Sequence, residues 1–141
     1  MRTWPVRGFT LGLLHGAVQT GVAAVGVHSP GAASSTRYIA LALLVVVGGL
    51  WGALDAWRGM RGPGMVWFLA GLAAGPVAGV VGVVGRSLVD QTGVEALGSA
   101  LTGGAAFTAL VVMATAGVGV VVGSRVPQPD GAREGGAPAE G

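Results

Sequence analysis

Few side chains in this sequence could do chemistry. His15 and Gln19 stand four residues apart within an apolar run. On a helix they share one face, where they could line a polar path, ligate a substrate, or make an interhelical hydrogen bond. Asp55 precedes Arg58 by three residues and Arg86 precedes Asp90 by four, spacings at which helical side chains can pair. There is no cysteine, so no disulfide framework is available. No nucleophile with a base partner, P-loop, His/Glu metal motif or intact dinucleotide fingerprint is present. The sequence therefore predicts no enzyme, no cofactor and no metal.

The elements that must position these residues are membrane helices. The chain has 141 residues, 52% hydrophobic and 10% charged, against about 25% charged in a soluble domain. A membrane helix needs about 20 mostly apolar residues. Four segments qualify, over about 8–27, 38–57, 65–85 and 94–123. They are continuous apolar runs and lack the alternation of a barrel. The sequence thus predicts an all-α four-helix bundle over 1–124 and a disordered Pro/Gly/Ala-rich tail over 125–141. Pro30 should stop the first helix, and Ser34, Ser35 and Thr36 offer N-cap oxygens to the second. Arg61-Gly62-Pro63-Gly64 reads as a tight turn, and Thr92-Gly93-Val94-Glu95 fits a capping box. Residues 1–28 are read as a retained helix and not as a cleaved signal. His15 and Gln19 interrupt the apolar stretch, which is long for a signal.

Arginine placement predicts the topology. Arg2, Arg7, Arg58, Arg61, Arg125 and Arg133 fall on one side of a four-span chain, and only Arg37 and Arg86 on the other. The positive-inside rule puts both termini in the cytoplasm, in the plasma membrane. Trp4, Trp57 and Trp67 fall near that boundary, where aromatic belts sit. The net charge of +2 is a topology signal and implies no nucleic-acid partner.

Glycine makes up 28 of the residues, and much of it has a helical spacing. Gly8, Gly12 and Gly16 form one stripe, Gly71, Gly75 and Gly79 another, and Gly48 and Gly52 a third. Lipid gives helices no hydrophobic reason to associate, so close approach through small residues must do it. Pro76, in the middle of the third helix, removes a hydrogen bond to Leu72 and should kink it. Interrupted spans point to transporter binding sites, although prolines are also tolerated where they only shape a helix. A shift of 59 residues superposes Gly16 on Gly75 and Val22 on Val81. This matches a parallel duplication of a helical hairpin, or chance in a Gly/Val-rich chain.

His15 lies eight residues beyond Arg7, about 12 Å deep at 1.5 Å per residue. At that depth an antiparallel second helix would offer Leu50 and Trp51, so a structural His15–Trp51 contact competes with a functional role. Asp55 lies only about 4.5 Å from its helix end, where an interfacial pair with Arg58 is expected. His15, Gln19, Trp51 and Pro76 are the candidate path-lining residues. Asp55, Arg58, Arg86 and Asp90 are the candidate gate or ion-pair residues.

Several pieces carry a family resemblance: Arg7-Gly8-x-x-x-Gly12-x-x-His15, Arg37-Tyr38-x-Ala40-Leu41, Trp51-Gly52-x-x-Asp55-x-Trp57-Arg58, Ala74-Gly75-Pro76-x-Ala78-Gly79-Val80, Gly85-Arg86, and Val89-Asp90-Gln91-Thr92-Gly93. Over about 2–124 the chain resembles a bacterial family of short four-span proteins, a four-helix branch of the drug/metabolite transporter superfamily. The resemblance implies a small-molecule secondary transporter, often a homodimer. It carries no substrate site over. The small multidrug exporters of that superfamily have a glutamate in their first helix, and here His15 is the nearest polar residue. The alternative is a non-transporting scaffold or accessory subunit whose glycine faces bind other membrane helices.

Overall fold

The computed structural model describes residues 3–89, 91 and 97–127. Asp90 and the expected capping box at 92–95 lie outside these, as does most of the expected tail. Helix α1 spans Thr3–His28, α2 Ala33–Trp57 and α3 Pro63–Val89. The fourth long helix, α4, covers Leu97–Gly123. Its first turn Leu97–Ser99 passes through a π segment, Ala100–Gly104, into the regular stretch Ala105–Gly123. Each of the four is long and apolar enough to cross a membrane, so the chain is a multi-pass membrane protein, and the described residues form helices and the turns between them.

The helix ends follow local chemistry. Ser29 leaves helical geometry at φ −147°, ψ 73°, directly before Pro30, and a 3-10 turn Pro30–Ala32 leads into α2. The expected side-chain caps of α2 are not used. Ala32 is its N-cap, and Thr36 Oγ1 donates back to the Ala32 carbonyl at 2.9 Å. α2 closes with a Schellman motif: Gly59 sits at φ +72°, its N–H donates to Ala56 O, and Met60 N–H donates to Asp55 O, both at 3.0 Å. Gly62 at φ +61° and Pro63 at the first helical position then launch α3.

Small-residue faces decide which helices meet. A Cβ added at Gly8 would lie 2.8 Å from Ala70 O, one at Gly12 2.9 Å from Ala74 O, and one at Gly16 3.1 Å from Ala78 O. The register rises together, so α1 and α3 pack in parallel. The Gly71, Gly75 and Gly79 face of α3 meets Ala109, Ala105 and Ala100 of antiparallel α4. Gly48 and Gly52 of α2 meet Thr115 and Ala116 of α4, again in parallel. α3 therefore buries two small faces, and a larger share of it is buried than of α1 or α2. The ring runs α1–α3–α4–α2. Its last seam, between α1 and α2, is the loosest of the four. α1 thus packs mainly on α3 and only loosely on its sequence neighbour α2. The small-residue complement of the α1 stripe lies on α3.

Candidate functional site

The inward face of α1 steps four residues at a time through Arg7, Leu11, His15 and Gln19. Two polar sites lie along it, separated by Leu11, which is fully buried with Leu44 and Val112.

The first site is near the chain termini. Arg7 Nε and Nη2 donate to the two carboxylate oxygens of Asp55 at 2.9 and 2.8 Å. Trp67 Nε1 donates to Asp55 Oδ2 at 3.1 Å. The guanidinium lies 5.8 Å from the ring centroids of both Trp51 and Trp67, and these two rings meet edge-on at 6.0 Å and 81°. Bidentate geometry and two aromatic faces suit arginine specifically. Arg7 is 7% exposed, Asp55 3% and Trp67 1%, so the group forms a closed plug of low dielectric.

Three expectations are corrected here. Asp55 pairs with Arg7 and not with Arg58, which is exposed. Trp51 belongs to this plug and makes no hydrogen bond with His15. Trp67 is a core residue and not part of an interfacial belt. The pair was missed because the first helix was expected to begin at Gly8, which left Arg7 in a flank. It begins at Thr3, placing Arg7 in the second turn. The available signal was matched depth: in a hairpin, an early residue of the first helix and a late residue of the second lie side by side.

The second site is a partly open cavity of about 730 Å³ between α1 and α2, at the end away from the termini. It descends from the α1–α2 turn to His15, which is thirteen residues before His28, or about 20 Å along α1. His15, Gln19, Arg37, Tyr38, Arg86 and Phe107 line it, with valines, alanines and Leu41 between. The loose α1–α2 seam is what leaves this space. His15 is 8% exposed, and its Nδ1 is buried without a partner. Arg86 Nη1 donates weakly to Gln19 Oε1 at 3.5 Å, while Arg86 Nε is buried and unpartnered. Gly82 makes room for the amide, since a Cβ there would come 2.7 Å from Gln19 Oε1.

The candidate residues thus divide. His15, Gln19 and Arg86 come together in the cavity, Asp55 and Trp51 come together in the plug, and Arg58 joins neither. Asp90, the expected partner of Arg86, lies outside the described residues. Arg37 and Tyr38 were not singled out as site residues, because a side chain at a helix end looks like a boundary marker until the neighbouring helix is placed, and Phe107 was not because it looks like any other apolar residue of its span. No known family model matches the chain, and no curated protein matches it.

Pro76 is corrected as a path-lining residue. It is exposed on the outer face of α3 and does not line the cavity, and α3 runs through it without interruption. Pro76→Ala is accordingly expected to leave ligand binding unchanged and to alter stability by no more than about 1 kcal/mol, since lipid-facing surface positions tolerate exchange. Unfolding in mixed micelles checks this. A large loss of either property would return Pro76 to the site.

Proposed function

We infer that the chain is a small secondary transporter of the drug/metabolite transporter type, with its substrate site in the α1–α2 cavity. One observation carries this reading. His15, the most central titratable residue of the spans among the described residues, stands at the floor of a cavity with unsatisfied polar atoms, beside Gln19 and Arg86. Interior ionisable groups are costly and mark substrate pathways. A scaffold would pack these groups dry, and a volume of 730 Å³ is within the usual range for small-molecule sites.

The remaining features support the same reading. The arginine bias puts both termini in the cytoplasm of a plasma-membrane protein, so the cavity opens outward. Below it, Leu11 and the Arg7–Asp55–Trp67 plug close the cytoplasmic side. This is the asymmetry expected of one end state of alternating access around a fixed site. Two parallel helix pairs, α1 with α3 and α2 with α4, are compatible with a duplicated hairpin whose second copy is closed and whose first is open. A homodimer meeting across the open seam would seal the cavity from lipid.

The test begins with a thermal-shift screen of small molecules on the purified chain. Uptake of the best hit into reconstituted vesicles follows. His15→Ala is expected to reduce flux at least tenfold with the fold retained. Full flux in that variant would remove His15 from the path. A folded protein that carries no hit across the membrane would leave the scaffold reading.

A further inference from the structure

The cavity has a charge as well as a shape. Arg86 reaches it from the last turn of α3, and Arg37 from the start of α2. Asp55 is the one acidic side chain among the described residues, and Arg7 takes both of its oxygens at the far end of the bundle. No described carboxylate therefore answers Arg86, whose single bond is a long one to an uncharged amide. Arginine keeps its proton in proteins, and its Nε–H and Nη–H edge matches two oxygens of a carboxylate or phosphate. Here that Nε is buried and unused. His15 offers a second unused ring nitrogen from the floor, and its side chain is more than nine-tenths buried. The walls between these groups are apolar, with Val18, Val22, Leu41 and Phe107.

Building on the reading of this cavity as a substrate site, we propose that its ligand is an organic oxoanion with an apolar body. The head is held by Arg86, with Arg37 drawing it in at the mouth, and the body lies against the apolar wall of Val18, Val22, Leu41 and Phe107. A cationic drug has no described carboxylate to meet there, which separates this chain from exporters built on an intramembrane glutamate. The same head chemistry belongs to a free amphiphilic acid and to an anionic lipid headgroup.

The experiment is calorimetric titration of the purified full chain with benzoate, phenyl phosphate and phenyltrimethylammonium, which differ mainly in the charge of the head. Benzoate and phenyl phosphate are expected to bind, and the cation to bind at least tenfold more weakly. Arg86→Gln should weaken benzoate binding at least tenfold. Arg37→Gln, at an exposed position that does not endanger the fold, should weaken it severalfold. Equal binding of the cation, or benzoate binding unchanged in both variants, would overturn the anion assignment while the cavity remained a ligand site. Failure of every probe would remove the cavity reading itself. Repeating the titration in vesicles of phosphatidylglycerol and of phosphatidylcholine separates the sources within the supported outcome. Weaker benzoate binding in phosphatidylglycerol that persists at high salt, where the surface potential is screened, identifies a lipid headgroup as the competitor, and equal binding identifies a free anion.

Discussion

Asp55→Ala should destabilise the folded chain by about 3–5 kcal/mol, because it strands a buried guanidinium. Arg7 would lose two charge-assisted bonds of 2.8 and 2.9 Å and keep only its aromatic neighbours. The Trp67 indole N–H would lose its acceptor as well. Removing both charges together, as in the Arg7→Leu, Asp55→Leu double variant, should recover most of the loss, since a buried pair costs desolvation that an apolar pair avoids. The two results together separate the cost of breaking the pair from its net contribution. Unfolding in mixed micelles measures both. A single-variant loss below about 1 kcal/mol would mean that water reaches the pair, as at an exposed ion pair. Under the transport reading the double variant carries a further expectation. It should stay folded while its cytoplasmic closure loses the attraction that joins α1 to α2, so substrate should leak more freely.

The second large effect belongs to a glycine. Gly75→Leu should abolish the folded bundle, whereas Gly21→Leu should be close to neutral. A Cβ at Gly75 would run into the backbone of Ala105, its carbonyl oxygen first, while a Cβ at Gly21 meets nothing within 4 Å. A backbone obstacle cannot rotate aside, so α3 and α4 would have to separate. Overpacking of this kind costs about 1–3 kcal/mol even where neighbours are side chains. In a membrane the loss falls on the close-packed contacts that hold helices together. The two substitutions add the same side chain to the same kind of apolar helix, so expression and insertion are controlled. Size-exclusion behaviour and thermal unfolding of the pair decide the matter. Comparable stability of the two variants would refute the packing assignment.

The number and approximate limits of the spans were legible because a 20-residue apolar run has few other uses. The turn at Gly62-Pro63 was legible too, since each residue there is suited to its backbone position. Helix partners were not. Gly12 announces a close approach, but its complement, Ala74, is an alanine like many others, and only the placed helices pair them. The cavity residues show the same division. His15 and Gln19 stood out because polar groups are expensive in lipid. Arg37 and Arg86 did not stand out as ligand groups, because an arginine at a helix end is equally explained by topology. Asp55 was assigned to its nearest cation in sequence, Arg58, when the nearer one in space was Arg7. Local spacing gives pairs along a helix, and pairs across helices need depth compared between spans.

The loose α1–α2 seam also bears on how the chain is made. A nascent membrane protein releases its helices in order, and here α1 and α2, which emerge before α3 and α4, share little packing with each other. The small-residue partners of each, on α3 and α4, are synthesised later. Within the α1–α2 hairpin the Arg7–Asp55 bridge is a buried, bidentate tie, and it joins residues 48 positions apart in the chain. The same two charges are also the costliest groups to leave unpaired in lipid. During biogenesis the pair would hold the early hairpin together before the glycine faces of the later helices arrive to complete the bundle.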